Sequence, residues 1–489
     1  MSDSRSPGQL LSILGVGFGL AGAVGGTIGA GILRTPGLVA AQLPSPGLVL
    51  GAWVVGGLYA LLGAVCTAEL AAALPRAGGW YVFAERAFGR WAGFLVGWTD
   101  WLAHCIGLAW VATTVGDYGV ALLPAPLGLQ PLAPQAIALL SLAVFAGIQL
   151  RGVRAGSASQ ELLSLVKAGA FLALVAACFL LPLPPLLSLP PEAGLSGFSP
   201  PPALTVMAAT QAATATASVA AAETFSWQGL LLPAVLALQA VITAYDGWAS
   251  PVYFAEEFTD PGRDLPRSLI GGVLAVLVLY LLINGALLHV LPLEQLARSS
   301  LPAADAAQRL LGPLGGGVIT AVALVSLLGL INTVVMAAPR ILYGLSRDGL
   351  FPGFASAVTA GGTPAAALLL TCGAAALLVL GGSFDRLLGM GAFLYVCLPL
   401  AGIAALVGLR WRAPELERPF RTWAYPLPPL LVAGVSVAFL AGALLSDGQD
   451  GLLALGLVLA GTPLLLFSPP AAAATPAAGS GPPPDSPER

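Results

Sequence analysis

A glycine-rich run near the start of the chain is the first stretch whose residues suggest chemistry. Residues 25–32 read GGTIGAGI inside a long apolar segment. Glycine loses the most backbone entropy on ordering, so the run weakens a helix. In lipid, a broken backbone is tolerated only beside a cavity or inside protein. We predict an interruption whose bare N–H and C=O groups face a binding site. The alternative is close helix packing through the pairs Gly22/Gly26 and Gly25/Gly29.

A second stretch of this kind is AYDGWASP at residues 244–251, also in the middle of an apolar segment. It contains Asp246, and an ionisable side chain at mid-membrane costs about 2.5–3.5 kcal/mol on insertion scales, so by default it marks a functional site. Asp246 is predicted to pair with an ammonium group of a ligand, to take up a proton, or to bond to the interrupted backbone. The alternative is a structural cap on the half-helix that follows.

Lys167 is the only lysine of the chain and lies in the apolar stretch LLSLVKAG at residues 162–169. The nearest flanking turn is too far away for the side chain to snorkel to water. A buried ammonium can lose its proton because desolvation disfavours the charged form. Lys167 is therefore predicted to carry a coupling proton or to brace the scaffold.

The elements that position these residues follow from the composition. The chain has 489 residues, of which 57% are hydrophobic and 9% are charged, whereas soluble proteins carry about 25% charged residues. This indicates a polytopic membrane protein. His104 and His289 are the only histidines, and no CxxC spacing occurs, so neither a metal, a cofactor nor a disulfide framework is expected. The five cysteines lie in or beside apolar segments, at Cys66, Cys105, Cys178, Cys372 and Cys397.

Several function classes are disfavoured by the motifs. Gly17–Gly22 matches GxGxxG, but its flanks are a continuous apolar run rather than the strand and helix of a dinucleotide-binding unit. The absence of GxxxxGK[ST] disfavours ATP-driven transport, and the absence of HExxH, a Cys/His cluster and a plausible Ser/His pair disfavours an enzyme. Residues 1–9 are too short for the basic region of a cleaved signal, so the first apolar segment is expected to remain.

Twelve segments reach the roughly 20 apolar residues that a spanning helix needs. They lie near residues 12–40, 46–73, 91–122, 134–150, 158–182, 231–255, 269–291, 313–345, 365–382, 386–409, 425–446 and 450–467. Residues 183–230 are predicted to form a long extracellular loop, and the Pro/Ala/Gly/Ser-rich tail at 468–489 a disordered cytoplasmic segment.

The basic residues predict the orientation. With residues 1–9 inside, Arg298, Arg309 and Arg386 fall outside, and Arg34 and Lys167 lie within spans. The other fifteen of the 20 basic residues fall on the inner side. Because cytoplasmic loops carry the excess of Lys and Arg, both termini are predicted to be cytoplasmic.

The two interrupted segments occupy matching places in the chain. Helix 1 opens a first set of five helices (residues 10–182), helix 6 opens a second set (231–409), and helices 11 and 12 follow at 410–467. Gly/Pro-interrupted spans in corresponding positions are the best pointer from sequence to the binding site of a transporter built from inverted repeats.

An ordered set of motifs resembles the amino acid–polyamine–organocation permeases, from about residue 15 to residue 409. The motifs are GTIGAGIL (26–33), AELAAALPRAGGWYVFAERAFG (68–89), AYDGWASPVYFAEEFTDPGRDLPRSLIGG (244–272), PRILYGLSRDGLFP (339–352) and GTPAAALLL (362–370). The Tyr-x-Gly-Trp core of helix 6 resembles the L-type amino acid transporter branch. The resemblance implies an all-α membrane fold of twelve helices, with a five-plus-five inverted repeat and two further helices.

The resemblance also implies a site. The helix 1 interruption presents N–H groups to a substrate carboxylate, and the helix 6 interruption presents carbonyls to the ammonium; a half-helix N-terminus suits an anion in any case. The matching residues are Thr27, Ile28, Gly29, Ala30 and Gly31 on one side, and Ala244, Tyr245, Asp246 and Gly247 on the other, with Tyr245 and Trp248 lining the pocket. Lys167 takes the place of a sodium ion and bridges helix 1 to helix 8.

Three features depart from the L-type pattern. Asp246 stands where L-type relatives often have glycine, and Thr243 stands where many relatives have an aromatic lid. Residues 123–133 contain no cysteine, so no disulfide-linked partner subunit is expected, nor is a nucleic-acid partner. The interrupted helices and the ordered motifs together predict a plasma-membrane secondary transporter of amino acids. It is expected to work by alternating access, either proton-coupled or as an exchanger. A cationic amino acid or polyamine transporter and a channel are the alternatives.

The remaining polar residues give weaker expectations. Glu256, Glu257, Asp260, Arg263, Asp264 and Arg267 are predicted to form a solvated loop, with an ion-pair network at an inner gate as the alternative. Arg340, Arg347 and Asp348 are interpreted as topology anchors. Glu69 and Asp100 are expected to pair within the bundle or to lie near its ends. Ser326, Asn332 and Thr333 are candidates to face the site.

Overall fold

The computed structural model describes residues 10–29, 31–122, 133–183, 227–299, 301–312, 314–381, 384–446 and 448–466. Within these ranges the secondary structure is helical. The only β-type pairing there is an isolated parallel bridge between Leu14 and Phe258. Residues 1–9, Ala30, the tail at 468–489 that was predicted to be cytoplasmic, and nearly all of the predicted loops at 123–133 and 183–230 lie outside the described ranges.

The helices of the first half of the chain follow the predicted segments closely. They are α1 Val16–Thr27, α2 Gly31–Gln42, α3 Pro46–Ala73, α4 Trp80–Phe88, α5 Arg90–Leu122, α6 Ala133–Leu150 and α7 Val153–Leu180. The start of α3 illustrates why they begin where they do: Pro46 occupies the first turn, and the Ser45 side chain accepts the backbone N–H of Leu48.

The second half begins with α8, which starts four residues before the predicted boundary of 231. Its elements are α8 Trp227–Tyr245, a 3₁₀ helix Ser250–Glu257, α9 Pro261–Val290, α10 Leu293–Arg298, α11 Pro302–Leu311, α12 Leu314–Arg347, a 3₁₀ helix Gly353–Ser356, α13 Ala365–Gly381, α14 Phe384–Arg412, α15 Leu427–Ser446, α16 Gly448–Ala460 and α17 Thr462–Leu466. The sequence analysis did not predict α4, α10 and α11, because they are too short to register as spans.

Seven helices of the described chain are long and apolar enough to cross a bilayer, or eight if the bent pair α1 and α2 forms one span. Four shorter apolar helices of 10–17 residues accompany them. The chain is therefore an all-helical, multi-pass membrane protein, as its composition indicated. The total of twelve spans stays a prediction.

Glu69 joins distant parts of the bundle. Its buried carboxylate on α3 accepts two hydrogen bonds from the Arg410 guanidinium of α14, at 2.9 and 2.6 Å, and one from the Thr422 backbone N–H at 2.7 Å. Arg418 lies 3.3 Å away. Glu69 thus pairs within the bundle, which was one of the two expectations for it.

We predict that Glu69→Gln destabilises the fold by about 2 kcal/mol, a typical value for hydrogen bonds to a charged group. Thermal unfolding of the purified protein in detergent measures the loss as a lower melting temperature. Glu415→Gln is the matched control, because Glu415 is exposed. Equal melting temperatures for the two variants would contradict the role given to Glu69.

Candidate functional site

The first interruption separates α1 from α2. Helix α1 ends at Thr27 and α2 begins at Gly31, and their axes are bent by 50°. Ile28 between them is extended (φ −77°, ψ 96°), and its N–H still donates to the Val24 carbonyl at 2.9 Å. The first N–H groups of α2 have no partner within their helix and form its positive end.

The second interruption follows α8. The helix ends at Tyr245, and Gly247 has a φ of +101°, in the region that favours glycine. The Gly247 carbonyl accepts the Ser250 hydroxyl at 2.6 Å, which starts the 3₁₀ helix. The second half of this segment is therefore a 3₁₀ helix rather than a continuation of α8.

The two interruptions touch each other through glycine backbone. A Cβ at Gly247 would lie 2.3 Å from the Gly26 carbonyl oxygen, and a Cβ at Gly26 would lie 2.7 Å from the Gly247 oxygen. No side chain fits at either place without moving backbone. We call this close approach the glycine contact.

Lys167 on α7 lies behind the first interruption and is fully buried. Its ammonium donates to the carbonyls of Gly25 at 2.9 Å, Ile28 at 2.8 Å and Ser326 at 3.2 Å. Gly329 leaves room for it, because a Cβ there would lie 2.9 Å from Lys167 Cε. All three ammonium donors are used, and they connect the carbonyl end of α1 to α12.

Tyr280 on α9 connects the two interruptions. Its buried hydroxyl lies 3.1 Å from the Thr27 carbonyl and 2.9 Å from the Ala244 carbonyl. The single hydroxyl thus lies at the last carbonyl of α1 and at the carbonyl one residue before the end of α8. The sequence analysis missed Tyr280, because one tyrosine in an apolar helix carries no signal of this role.

A cavity of about 1000 Å³ lies at the interruptions. Its lining includes Gly26, Thr27, Gly29 and Gly31 from the first interruption and Ala244–Trp248 from the second. It extends along α2 past Arg34 and Gln42 to Glu294 and Arg298 of α10. The cavity therefore reaches toward the end of the bundle that holds α10.

Not all of the predicted site residues lie at the cavity wall. Ile28 is fully buried and its N–H is already bonded, and Lys167 lies behind the wall. Ala30 lies outside the described residues. Tyr245 and Trp248 line the cavity, yet the Tyr245 hydroxyl donates to the Trp53 carbonyl at 3.1 Å, and Trp248 packs edge-on against Trp80.

Asp246 is exposed to the cavity although protein surrounds it. Its carboxylate interacts with the neighbouring Gly247 backbone N–H, so it contacts the interrupted backbone, which was one of the expectations for it. Thr243 also lines the cavity. The pairing of Asp246 with a ligand ammonium stays a prediction.

His104 on α5 is a cavity residue that the sequence analysis did not select. Its Nδ1 lies 2.8 Å from the Asp100 backbone carbonyl and 3.0 Å from an Asp100 carboxylate oxygen, which also accepts the Tyr253 hydroxyl at 3.0 Å. Asp100 thus pairs within the bundle. The i, i+4 spacing of Asp100 and His104 on one helix was the available signal.

Of the three polar residues of α12 that were candidates, Thr333 lines the cavity. Asn332 instead accepts from Gln149 at 2.9 Å and donates to Gln160 at 2.8 Å. Ser326 contributes its carbonyl to Lys167. Asn332 therefore holds α6, α7 and α12 together rather than contacting a ligand.

Ion pairs gather at the end of the bundle where α12 finishes. We call this end, which carries Arg76, Arg90, Arg340, Arg347 and Arg410, the basic end. Glu257 is fully buried and pairs with the buried Arg340, and Glu256 pairs with Arg347 at 2.5 Å. The prediction of a solvated loop is wrong for Glu257, and Arg340 is not merely a topology anchor, because burial forces each charge to find a partner. Glu256 stays partly exposed while it pairs with Arg347. Asp260, Arg263 and Arg267 are exposed, as predicted.

Asp348 continues this set of ion pairs next to α4. Its carboxylate bonds to Arg76 at 2.5 Å and accepts the Tyr81 hydroxyl at 3.0 Å. Burial, together with the nearby Asp348 carboxylate, raises the pKa of Glu85 on α4. The segment before α4, α4 itself and the end of α12 are thus connected through Asp348.

An all-helical membrane protein with a cavity between two touching, interrupted helices has the architecture of a solute permease. The chain matches the amino acid permease family over residues 10–459 and belongs to it. It is 26% identical over 456 residues to the serine/threonine exchanger SteT of Bacillus subtilis, covering 92% of this chain and 95% of the relative.

Two animal relatives extend the comparison. The chain is 28% identical over 414 residues to Asc-type amino acid transporter 1 of Mus musculus (81% of this chain, 70% of the relative). It is 27% identical over 458 residues to the large neutral amino acids transporter small subunit 2 of Homo sapiens (90% and 77%). These relatives confirm the L-type branch suggested by the helix 6 motif, and they are transporters rather than enzymes.

We predict that Gly247→Ala lowers the free energy of unfolding. A strained backbone alone costs about 1–3 kcal/mol, and the loss should exceed this because the added methyl group overlaps the Gly26 carbonyl. Size-exclusion elution and melting temperature in detergent measure the effect. Gly285→Ala is the control, because no atom lies within 4 Å of a Cβ there. A fully stable Gly247→Ala variant would contradict the glycine contact.

Proposed function

We propose that the chain is a secondary transporter that moves amino acids by alternating access. The observation that carries the proposal is the cavity between the two interruptions, with the first N–H groups of α2 on one side and the end of α8 on the other. Twelve spans, arranged as two inverted sets of five plus two, provide the frame.

The substrate carboxylate binds at the start of α2. A helix N-terminus offers unpaired N–H donors and a partial positive charge. Gly29 and Gly31 line the cavity, and together with Thr27 and Ala30 they form the cradle. Ile28 acts only by shaping the chain, because its N–H is bonded to Val24.

The substrate ammonium binds at the end of α8. The last carbonyls of a helix carry partial negative charge. The Ala244 carbonyl already accepts the Tyr280 hydroxyl and the Gly247 carbonyl accepts Ser250, so the Tyr245 and Asp246 carbonyls are the principal acceptors. The Asp246 carboxylate adds a full negative charge to this side of the cavity.

The direction of opening follows from the charge distribution. If the arginine-rich basic end is cytoplasmic, the cavity opens to the outside and the ion pairs of Glu257 and Asp348 close the inner side. This geometry corresponds to an outward-facing state in a plasma membrane with both termini inside. A channel is disfavoured in this proposal, because the buried Glu257–Arg340 pair holds the inner side shut.

We infer small neutral amino acids as substrates, because one relative is named a serine/threonine exchanger and the cavity has polar walls at Thr243 and Thr333. Cationic amino acids or polyamines remain the second candidate because Asp246 faces the cavity. Residues 123–133 contain no cysteine, so we propose that no partner subunit is attached there by a disulfide, although one relative is named a small subunit.

Gly29→Leu tests the site. A Cβ at Gly29 meets only the Leu330 side chain, at 3.6 Å, so the variant should fold while its side chain fills the cavity. Serine uptake into proteoliposomes is expected to fall to background. Gly169→Leu is the control, because Gly169 is exposed on α7 with no atom within 4 Å. Uptake by Gly29→Leu at the level of this control would contradict the site.

Lys167→Met tests the coupling role. It leaves three carbonyls without their donor and unlinks α1 from α12, so uptake is expected to fall at least about tenfold, equivalent to ~1.4 kcal/mol. Proteoliposomes with and without internal amino acid, and with and without a proton gradient, distinguish exchange from proton symport. Arg154→Met, exposed on the same helix, is the control.

Two outcomes decide between the roles of Lys167. If a proton gradient stimulates uptake by the unmodified protein but not the residual uptake by Lys167→Met, Lys167 is the proton carrier. A gradient response that the variant retains would limit Lys167 to bracing the scaffold. Unchanged uptake would contradict both roles.

A further inference from the structure

The ring of His104 is held in a single orientation. Its Nδ1 faces two acceptors of Asp100, the backbone carbonyl at 2.8 Å and the carboxylate at 3.0 Å, so Nδ1 carries a hydrogen in every charge state. The rings of Tyr253 and Tyr395 pack edge-on against it, with centroids 4.9 and 5.7 Å away. The remaining nitrogen, Nε2, is the atom that changes between acceptor and donor.

The ring also belongs to the cavity wall together with Asp246. Both residues line the same cavity. Asp246 is open to the cavity, whereas His104 is almost fully buried. A positive charge on the ring therefore acts on the same space that the Asp246 carboxylate faces.

Three titratable groups contact the ring or its partner: Asp100 on its own helix, Tyr253 from the 3₁₀ helix and Tyr395 from α14. Arg340 and Arg347 of α12 are paired with Glu257 and Glu256, and α4 carries Glu85 and Arg86. The same cavity wall also holds Arg34, Glu294 and Arg298. The α6 sequence contains no titratable residue.

We propose that His104 determines substrate specificity: its protonation decides whether the cavity accepts amino acids with a cationic side chain. When the ring is neutral, Asp246 is free to pair with a guanidinium or ammonium group. When the ring is protonated, its positive charge pairs with Asp100 and makes the cavity wall less negative, so the wall attracts that group less and zwitterionic substrates are favoured. Histidine is the side chain whose charge changes near neutral pH. This inference depends on the proposed function, because it requires the substrate to occupy this cavity.

The test is competition in proteoliposomes that contain the full chain and internal serine. Uptake of labelled serine is measured against external arginine at pH about 5.5 and about 8, which bracket the histidine transition. For the unmodified protein, arginine is expected to compete about tenfold more weakly at the acidic pH. His104→Gln keeps an N–H donor for Asp100 but cannot become charged, so arginine should compete equally at both values.

Two further variants make the test specific. His289→Gln changes the other histidine, which is exposed at the end of α9 and stacked on Phe179, and it should keep the pH dependence of the unmodified protein. Asp246→Asn should remove the arginine competition at both pH values. Each result is expressed relative to the variant's own serine uptake, and thermal stabilisation by serine or arginine in detergent gives a second readout if uptake is lost.

The outcomes separate this inference from the proposed function. Acid-sensitive competition that persists in His104→Gln would place the proton on Asp246 itself and overturn the role of His104. Serine exchange with no pH-dependent arginine competition in the unmodified protein would also overturn it and leave amino acid transport standing. Loss of serine and arginine uptake together, with no stabilisation by either, would remove the proposed function as well.

Discussion

The structure depends on the glycine contact, the close approach of the Gly26 and Gly247 backbones. Two helices end here inside the bilayer, where every unpaired backbone group costs free energy. Only glycine fits at either position. The carbonyls released by the two endings are then satisfied by two side chains from the surrounding helices: Lys167 serves Gly25 and Ile28, and Tyr280 serves Thr27 and Ala244. The interruptions are therefore held by the scaffold rather than left flexible.

This arrangement makes the cavity chemically asymmetric. Because Lys167 and Tyr280 occupy the carbonyls of α1, the first interruption presents mainly N–H groups, whereas the second presents the end of α8 and the Asp246 carboxylate. A zwitterion is complementary to two such poles. The proposed alternating access requires the ion pairs at the basic end to separate or to move. Partly exposed pairs such as Arg347–Glu256 are worth little individually, while the buried Glu257–Arg340 pair must move as a unit, because separating it leaves a buried charge.

The sequence predicted the structure best where the backbone conformation requires particular residue types. The glycines of residues 25–31 and the AYDGW stretch indicated where α1 and α8 end, and Lys167 was conspicuous as the only lysine. The sequence gives no such indication where the role of a residue depends on its neighbours in three dimensions. The sequence does not distinguish Gly26, which admits no side chain, from Gly29, which has open space beside it. Nor does it reveal that Tyr280 lies between two helix ends, that His104 lines the same cavity as Asp246, or that Glu257 is buried next to exposed charges.

The central claim is that the two interruptions hold the two charged ends of one molecule. Calorimetric titration of the purified chain with L-serine, with ethanolamine, which lacks the carboxylate, and with glycolate, which lacks the ammonium, tests it most directly. The account predicts binding of serine and no measurable binding of either fragment at the same concentrations. Binding of ethanolamine or glycolate with the affinity of serine would contradict it, because one of the two poles would then contribute nothing.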